Sequence, residues 1–188
     1  MMSINHEEVR MHRLPIYRVT LVREGSQPSL MNFIKTPRHV FELASGYLEG
    51  ADREHFAVIM LDTKNQVIGM NTMAIGVLSS CPIHPREVFK PAILANAAGI
   101  VLVHNHPSGD PSPSQDDLLL TIRLREAGEV LGIQVIDHVI LGYANYASLK
   151  EEGRFRPFFW SNSVSLLYAA IDICEYFYCS LKLSFTCH

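Results

Sequence analysis

From position 104 the chain reads His104-Asn105-His106-Pro107-Ser108-Gly109-Asp110-Pro111-Ser112-Pro113-Ser114-Gln115-Asp116-Asp117. It follows the apolar run Ile100-Val101-Leu102-Val103, the composition of a strand covered on both faces. Side chains two positions apart on a strand point the same way. His104 and His106 therefore form a pincer suited to a borderline metal such as zinc. The prolines and Gly109 stiffen and turn the loop, and a helix begins at Ser114. Asp117, in its first turn, can swing a carboxylate back toward the histidines. Two nitrogens and one oxygen leave a fourth tetrahedral position for water, the open geometry of a hydrolytic zinc site. A second account needs no metal. Ser114-Gln115-Asp116-Asp117 also reads as a capping box with Asp in place of Glu, leaving two ordinary polar residues at a strand end. Each feature taken singly favours that plainer account. Their coincidence within one short stretch favours the metal.

The elements that must hold this stretch can be read along the chain. Tyr17, Val19 and Leu21 alternate with Arg18 and Thr20, the period of a half-buried strand. Thr36-Pro37 reads as an N-cap with proline at the first helical position, followed by Val40, Phe41, Ala44, Tyr47 and Leu48 at helical spacing. Phe56 to Leu61 is an apolar strand, Asp62 to Gln66 a turn, and Val67 to Val77 the partner strand. Pro85 opens a second helix carrying Val88, Phe89, Ala92, Ile93 and Ala95, with Gly99 as its stop. A helix from about Ser114 to Val130 stops near Gly132, and Ile133 to Leu141 is a further strand. The expected architecture is α/β, a mixed β-sheet with flanking helices.

Composition bounds the rest. The 188 residues are 48% hydrophobic and 19% charged, enough to bury one sizeable core and unlike a disordered chain or a disulfide-dense mini-protein. Net charge is −3, split as +3 over residues 1–40 and −6 over the remainder. A strong nucleic-acid binder is expected to carry a basic domain, so charge gives DNA association no support. Cys81, Cys174, Cys179 and Cys187 form no CxxC pair, which argues against a zinc ribbon or disulfide framework. The polar N-terminus lacks a signal-peptide core, and a cytoplasmic protein is expected. Residues 157–188 differ from the rest, with 20 apolar residues of 32. Their longest uncharged stretch, Pro157 to Ile171, is 15 residues, short of the roughly 20 a spanning helix needs. Asp172, Glu175, Cys179 and Lys182 would make one polar stripe on a helix. Such a helix would pack on this domain or on its twin in a homodimer. A membrane-surface or partner-binding helix is the sharper alternative.

His-x-His, seven residues, Ser, two residues, Asp resembles the JAMM motif of the JAB/MPN+ metalloprotease superfamily. The wording His-Asn-His-Pro-Ser-Gly-Asp-Pro-Ser-Pro-Ser resembles more specifically the RadC family of bacterial JAB-domain proteins. Glu54-His55-Phe56, Leu61-Asp62-Thr63-Lys64-Asn65, His84-Pro85-Arg86-Glu87-Val88-Phe89-Lys90 and Asp137-His138 agree with it, and the similarity covers roughly residues 30–153. The resemblance implies a cytidine-deaminase-like α/β fold with Zn2+ on His104, His106 and Asp117. It implies an upstream glutamate as general base, matched here by Glu54, and Ser114 as a donor to the oxyanion.

Glu87 in a helix first turn, Asp62 in a turn and Glu42 on a helix face are explained without catalysis. His84 reads as structural, and His138 as a strand residue with a place near the site left open. Longer RadC proteins carry a helix-hairpin-helix region associated with DNA, which is not matched here. The apolar tail has no counterpart either. The expected organisation is an N-terminal extension with one strand (residues 1–29), a RadC-like domain (30–156) and a tail of unknown role (157–188). The expected function is a zinc-dependent hydrolase cutting a peptide or isopeptide bond in an unidentified protein. The alternative is a DNA-repair-associated accessory protein with a structural or nucleolytic metal site.

Overall fold

Thr36 accepts a hydrogen bond from the His39 backbone N–H and Pro37 fixes the first turn, so helix α1 runs Pro37–Tyr47. A computed structural model describes residues 15–26, 28–29, 31–48, 51–76 and 83–155 of the chain. After α1 come β1 (His55–Leu61), β2 (Val67–Ile75), α2 (Pro85–Leu94), β3 (Gly99–Asn105), α3 (Gln115–Leu131), β4 (Gln134–Leu141) and β5 (Tyr146–Ser148). Contacts divide the chain at Arg154, and all but Phe155 of the second unit, including the predicted tail helix, lies outside the described residues.

The strands form one sheet in the order β2-β1-β3-β4-β5. Only β3 and β4 are parallel, joined through α3; the other pairs are antiparallel. This is the mixed α/β architecture that the pattern predicts. Central β3 is buried along Gly99 to His104, which explains its unbroken apolar run. Ile59, Leu61, Val101, Val103, Val139 and Leu141 turn one way and bury Val40, Phe41, Leu43 and Ala44 of α1. Each of the Val, Leu, Ile and Phe side chains among them stabilises the fold by roughly 1.5–3 kcal/mol. Phe56, His104 and His138 turn the other way, toward α3, and α2 packs beside α3 with Phe89 close to Gly128.

Two expectations are corrected. Residues 15–26 carry no regular element, and Ile16 and Tyr17 are 98% and 81% exposed. The alternation there is genuine, yet no described strand pairs with it, and a strand without a ladder leaves its backbone to water. Gly99 does not stop α2. The helix ends at Leu94, capped by Ala95, and Asn96 turns the chain at φ 53°. Gly99 instead opens β3, where an added Cβ would lie 2.8 Å from the Ile136 side chain. The three-residue β5 was not expected.

Candidate metal centre

The β3-α3-β4 crossover sets the end of β3 beside the start of α3, the carboxyl end of a parallel strand pair, where α/β sheets place their ligand sites. His104 is fully buried, paired with Phe56 on β1 and with Ile140 on β4. The His106 N–H donates to the Leu141 carbonyl at 2.8 Å, carrying the parallel ladder one residue past the strand. Beyond it the loop turns back through Gly109, whose φ of +82° lies where side chains are strained. That turn brings the Asp110 carbonyl to 2.7 Å from His106 Nδ1. The Tyr143 hydroxyl clamps the loop by donating to the Pro107 carbonyl at 2.7 Å.

Ser114 caps α3 in a complete capping box with Asp117. Asp117 Oδ2 accepts from the Ser114 N–H at 2.8 Å and from its hydroxyl at 2.6 Å. The capping box that the segment spells is thus present. The cap aims the carboxylate inward, with Oδ1 3.3 Å from His104 Nε2 and Oδ2 3.7 Å from His106 Nε2. The two Nε2 atoms stand 2.9 Å apart. Ligands about 2.0–2.1 Å from a tetrahedral zinc lie roughly 3.3 Å from one another, the spacing found between His104 Nε2 and Asp117 Oδ1, while the His106 contact is to the other carboxylate oxygen. His104, His106 and Asp117 are a group that could hold a metal ion.

The electrostatics agree. Burial, reinforced by the neighbouring His106 and opposed by Asp117, lowers the His104 pKa to about 4. Burial also holds His138 well below the ordinary histidine range, with His104 and His106 adding to the effect. His106 Nδ1 faces the Asp110 carbonyl, which can only accept, so Nδ1 carries a proton.

Glu54 immediately precedes β1, and extending the Phe56–His104 register by two residues sets it across from His106. Asn105 points away from the two histidines and straps this segment. Its Oδ1 accepts from the His55 N–H at 2.8 Å and its Nδ2 donates to the Arg53 carbonyl at 3.0 Å. The Glu54 carbonyl takes the Gly76 N–H at 2.8 Å. Glu87 is bound to Lys90 on the exposed face of α2, and His84 caps that helix, so neither joins the site.

Two buried residues stand beside this group: His138, for which the sequence leaves a place near the site open, and Thr121, which the sequence reading does not single out. His138 Nε2 lies 2.9 Å from His104 Nδ1, and Thr121 Oγ1 lies 2.6 Å from His138 Nδ1. Thr121 sits four residues after Asp117, one turn along the same helical face, a spacing visible in the sequence. His138 needed the β3–β4 register as well.

A RadC-like JAB domain model matches residues 34–154. The chain belongs to the RadC family of JAB-domain proteins. It is 52% identical over 120 residues to a UPF0758 protein of Desulforamulus reducens, covering 64% of this chain and 53% of that one. A UPF0758 protein of Rubrobacter xylanophilus is 49% identical over 136 residues, covering 72% and 58%. The chain spans about half the length of the curated relatives it matches. The matched RadC-like segment contains Glu54, His104, His106, Ser114 and Asp117, and the mixed five-stranded sheet agrees with the JAB fold. Among the described residues, no helix is long and apolar enough to cross a membrane.

Proposed function

We propose that this RadC-like domain is a zinc-dependent hydrolase of the JAMM type, cleaving peptide or isopeptide bonds in a protein substrate. The observation that carries the reading is the convergence of His104, His106 and Asp117, one ligand atom from each lying within 4.8 Å of the others and the two Nε2 atoms 2.9 Å apart. Electron-pair donors that close repel one another unless a proton or a metal cation lies between them. Zn2+ fits that donor set, and when bound it supplies Lewis acidity that polarises a carbonyl and brings water to a pKa near 7.

The remaining steps belong to side chains. Glu54, across from His106, takes the proton of the attacking water and delivers it to the leaving amine. Ser114 donates to the oxyanion of the tetrahedral intermediate. Its hydroxyl proton is committed to Asp117 in the structure, so the rotor must turn. The Ser114 N–H then still holds Asp117 Oδ2. A cysteine set without CxxC pairs suits a reducing, cytoplasmic setting. The DNA-associated reading gains no support, because residues 41–188 carry −6, the wrong sign for phosphate.

The test is elemental analysis of the purified chain beside His106→Ala and Glu54→Ala, with a peptide and isopeptide hydrolysis screen. The expected result is near one zinc per chain, lost in His106→Ala and kept in Glu54→Ala, with hydrolysis absent from both. A wild-type chain that takes up no metal after zinc reconstitution overturns the proposal.

A further inference from the structure

We propose that Thr121 and His138 form a positioning relay that keeps the His104 proton on Nδ1 and turns the Nε2 lone pair toward Asp117 and His106. The relay deepens the metal-site reading and rests on it for its purpose, although its geometry stands without a metal.

The argument is a count of protons. The Thr121 hydroxyl has one, and it is donated to the Asp117 backbone carbonyl at 2.6 Å; a carbonyl can only accept. At its 2.6 Å contact with His138 Nδ1 the Thr121 oxygen must therefore accept, so Nδ1 carries the His138 proton. Neutral imidazole has one N–H, which leaves His138 Nε2 bare. That atom faces His104 Nδ1 at 2.9 Å, so the His104 proton sits on Nδ1 and its Nε2 is bare in turn. The chain begins at the Asp117 carbonyl and ends with His104 Nε2 3.3 Å from the Asp117 carboxylate. A single residue of α3 therefore anchors both ends of the path.

The surroundings leave the relay no substitute. His104 and His138 are fully buried and Thr121 nearly so, so bulk water does not stand in for a lost partner. Phe56 stacks on His104, with ring centroids 6.1 Å apart, and sets its edge against His138 at 5.7 Å, holding both ring planes. Outer partners of this kind fix the tautomer and orientation of a metal-ligating histidine, and losing one lowers metal affinity about 10–100-fold. A merely space-filling role would ask only for the shape of Thr121, which valine reproduces.

The experiment uses the full chain labelled with 15N-histidine. Long-range 1H–15N correlation of the metal-free protein near pH 7.5 reads each tautomer, and titration with Co2+ reads affinity from its visible spectrum. Expected are Nδ1–H signatures for His104 and His138. Thr121→Val should scramble the His138 tautomer and weaken Co2+ binding at least 10-fold, and Thr121→Ser should restore both. A wild-type His104 protonated on Nε2 overturns the relay. So does a folded Thr121→Val chain with unchanged tautomers and affinity. Correct tautomers in a wild-type chain that takes up no Co2+ refute the metal reading alone and support the relay, which is read without metal.

Discussion

Acidification should weaken the metal-stripped chain through His104, and the size of the effect follows from its burial. An unfolded histidine titrates near 6.5, whereas burial lowers the folded His104 to about 4. Between those values the unfolded chain takes up a proton that the native chain refuses. Stability is therefore complete above pH 6.5 and falls as the pH drops toward 4. At pH 5 the unfolded residue is nearly all charged and the native one nearly all neutral, a loss of about 2 kcal/mol relative to neutral pH. His138, also held neutral by burial, pushes in the same direction. Urea unfolding after chelation, at intervals from pH 7.5 to 5, measures the slope. His104→Gln removes this ionisation and should flatten the slope by the same ~2 kcal/mol, other carboxylates and histidines being common to both proteins. Parallel slopes for wild type and variant would refute the assignment of a depressed titration to His104.

Two further substitutions separate roles that the geometry superimposes. Ser114→Ala removes the cap of α3 and should cost about 1 kcal/mol in urea unfolding, while the remaining Ser114 N–H keeps Asp117 aimed and zinc content stays near one per chain. Asn105→Ala releases the strap on both sides of Glu54. Hydrolysis should fall on the order of 10–100-fold through misplacement of the base, with the metal retained, and joint loss of metal and activity would show that Asn105 instead supports the histidine strand.

What could be read before folding and what could not divides by distance along the chain. Helix α3 was legible at both ends because Ser114 and Asp117 close a box within one turn and Gly132 stops the helix locally. Strand β3 was legible because burial on both faces demands an unbroken apolar run. The candidate group was legible because it is local: His104 and His106 sit on one strand end and Asp117 lies in the first turn of the next helix. The exposed segment at Tyr17 to Leu21 shows the limit, since alternation states which faces a strand would have and says nothing of whether a neighbour exists. Gly99 shows a second limit. Glycine after a helix reads as a stop, but here it lets β3 pass close to the Ile136 side chain, a neighbour brought by strand pairing.

The relay lies beyond the same limit, and the reason bears on how the site is built. His138 and His104 belong to one polar cluster only because parallel pairing sets Leu102 beside His138 and His104 beside Ile140, so both imidazoles leave the sheet on the α3 side. An isolated buried histidine would have to find a donor and an acceptor independently. Here the acceptor for one ring is the other ring, the hydroxyl of Thr121 accepts from that, and the last acceptor is the Asp117 backbone carbonyl. The arrangement satisfies each buried hydrogen in turn and turns the His104 Nε2 lone pair to the place where His106 and Asp117 converge. Buried polar groups destabilise a fold unless they are partnered. A network that directs its protons away from the point where His104, His106 and Asp117 converge is therefore one that a bound cation stabilises further.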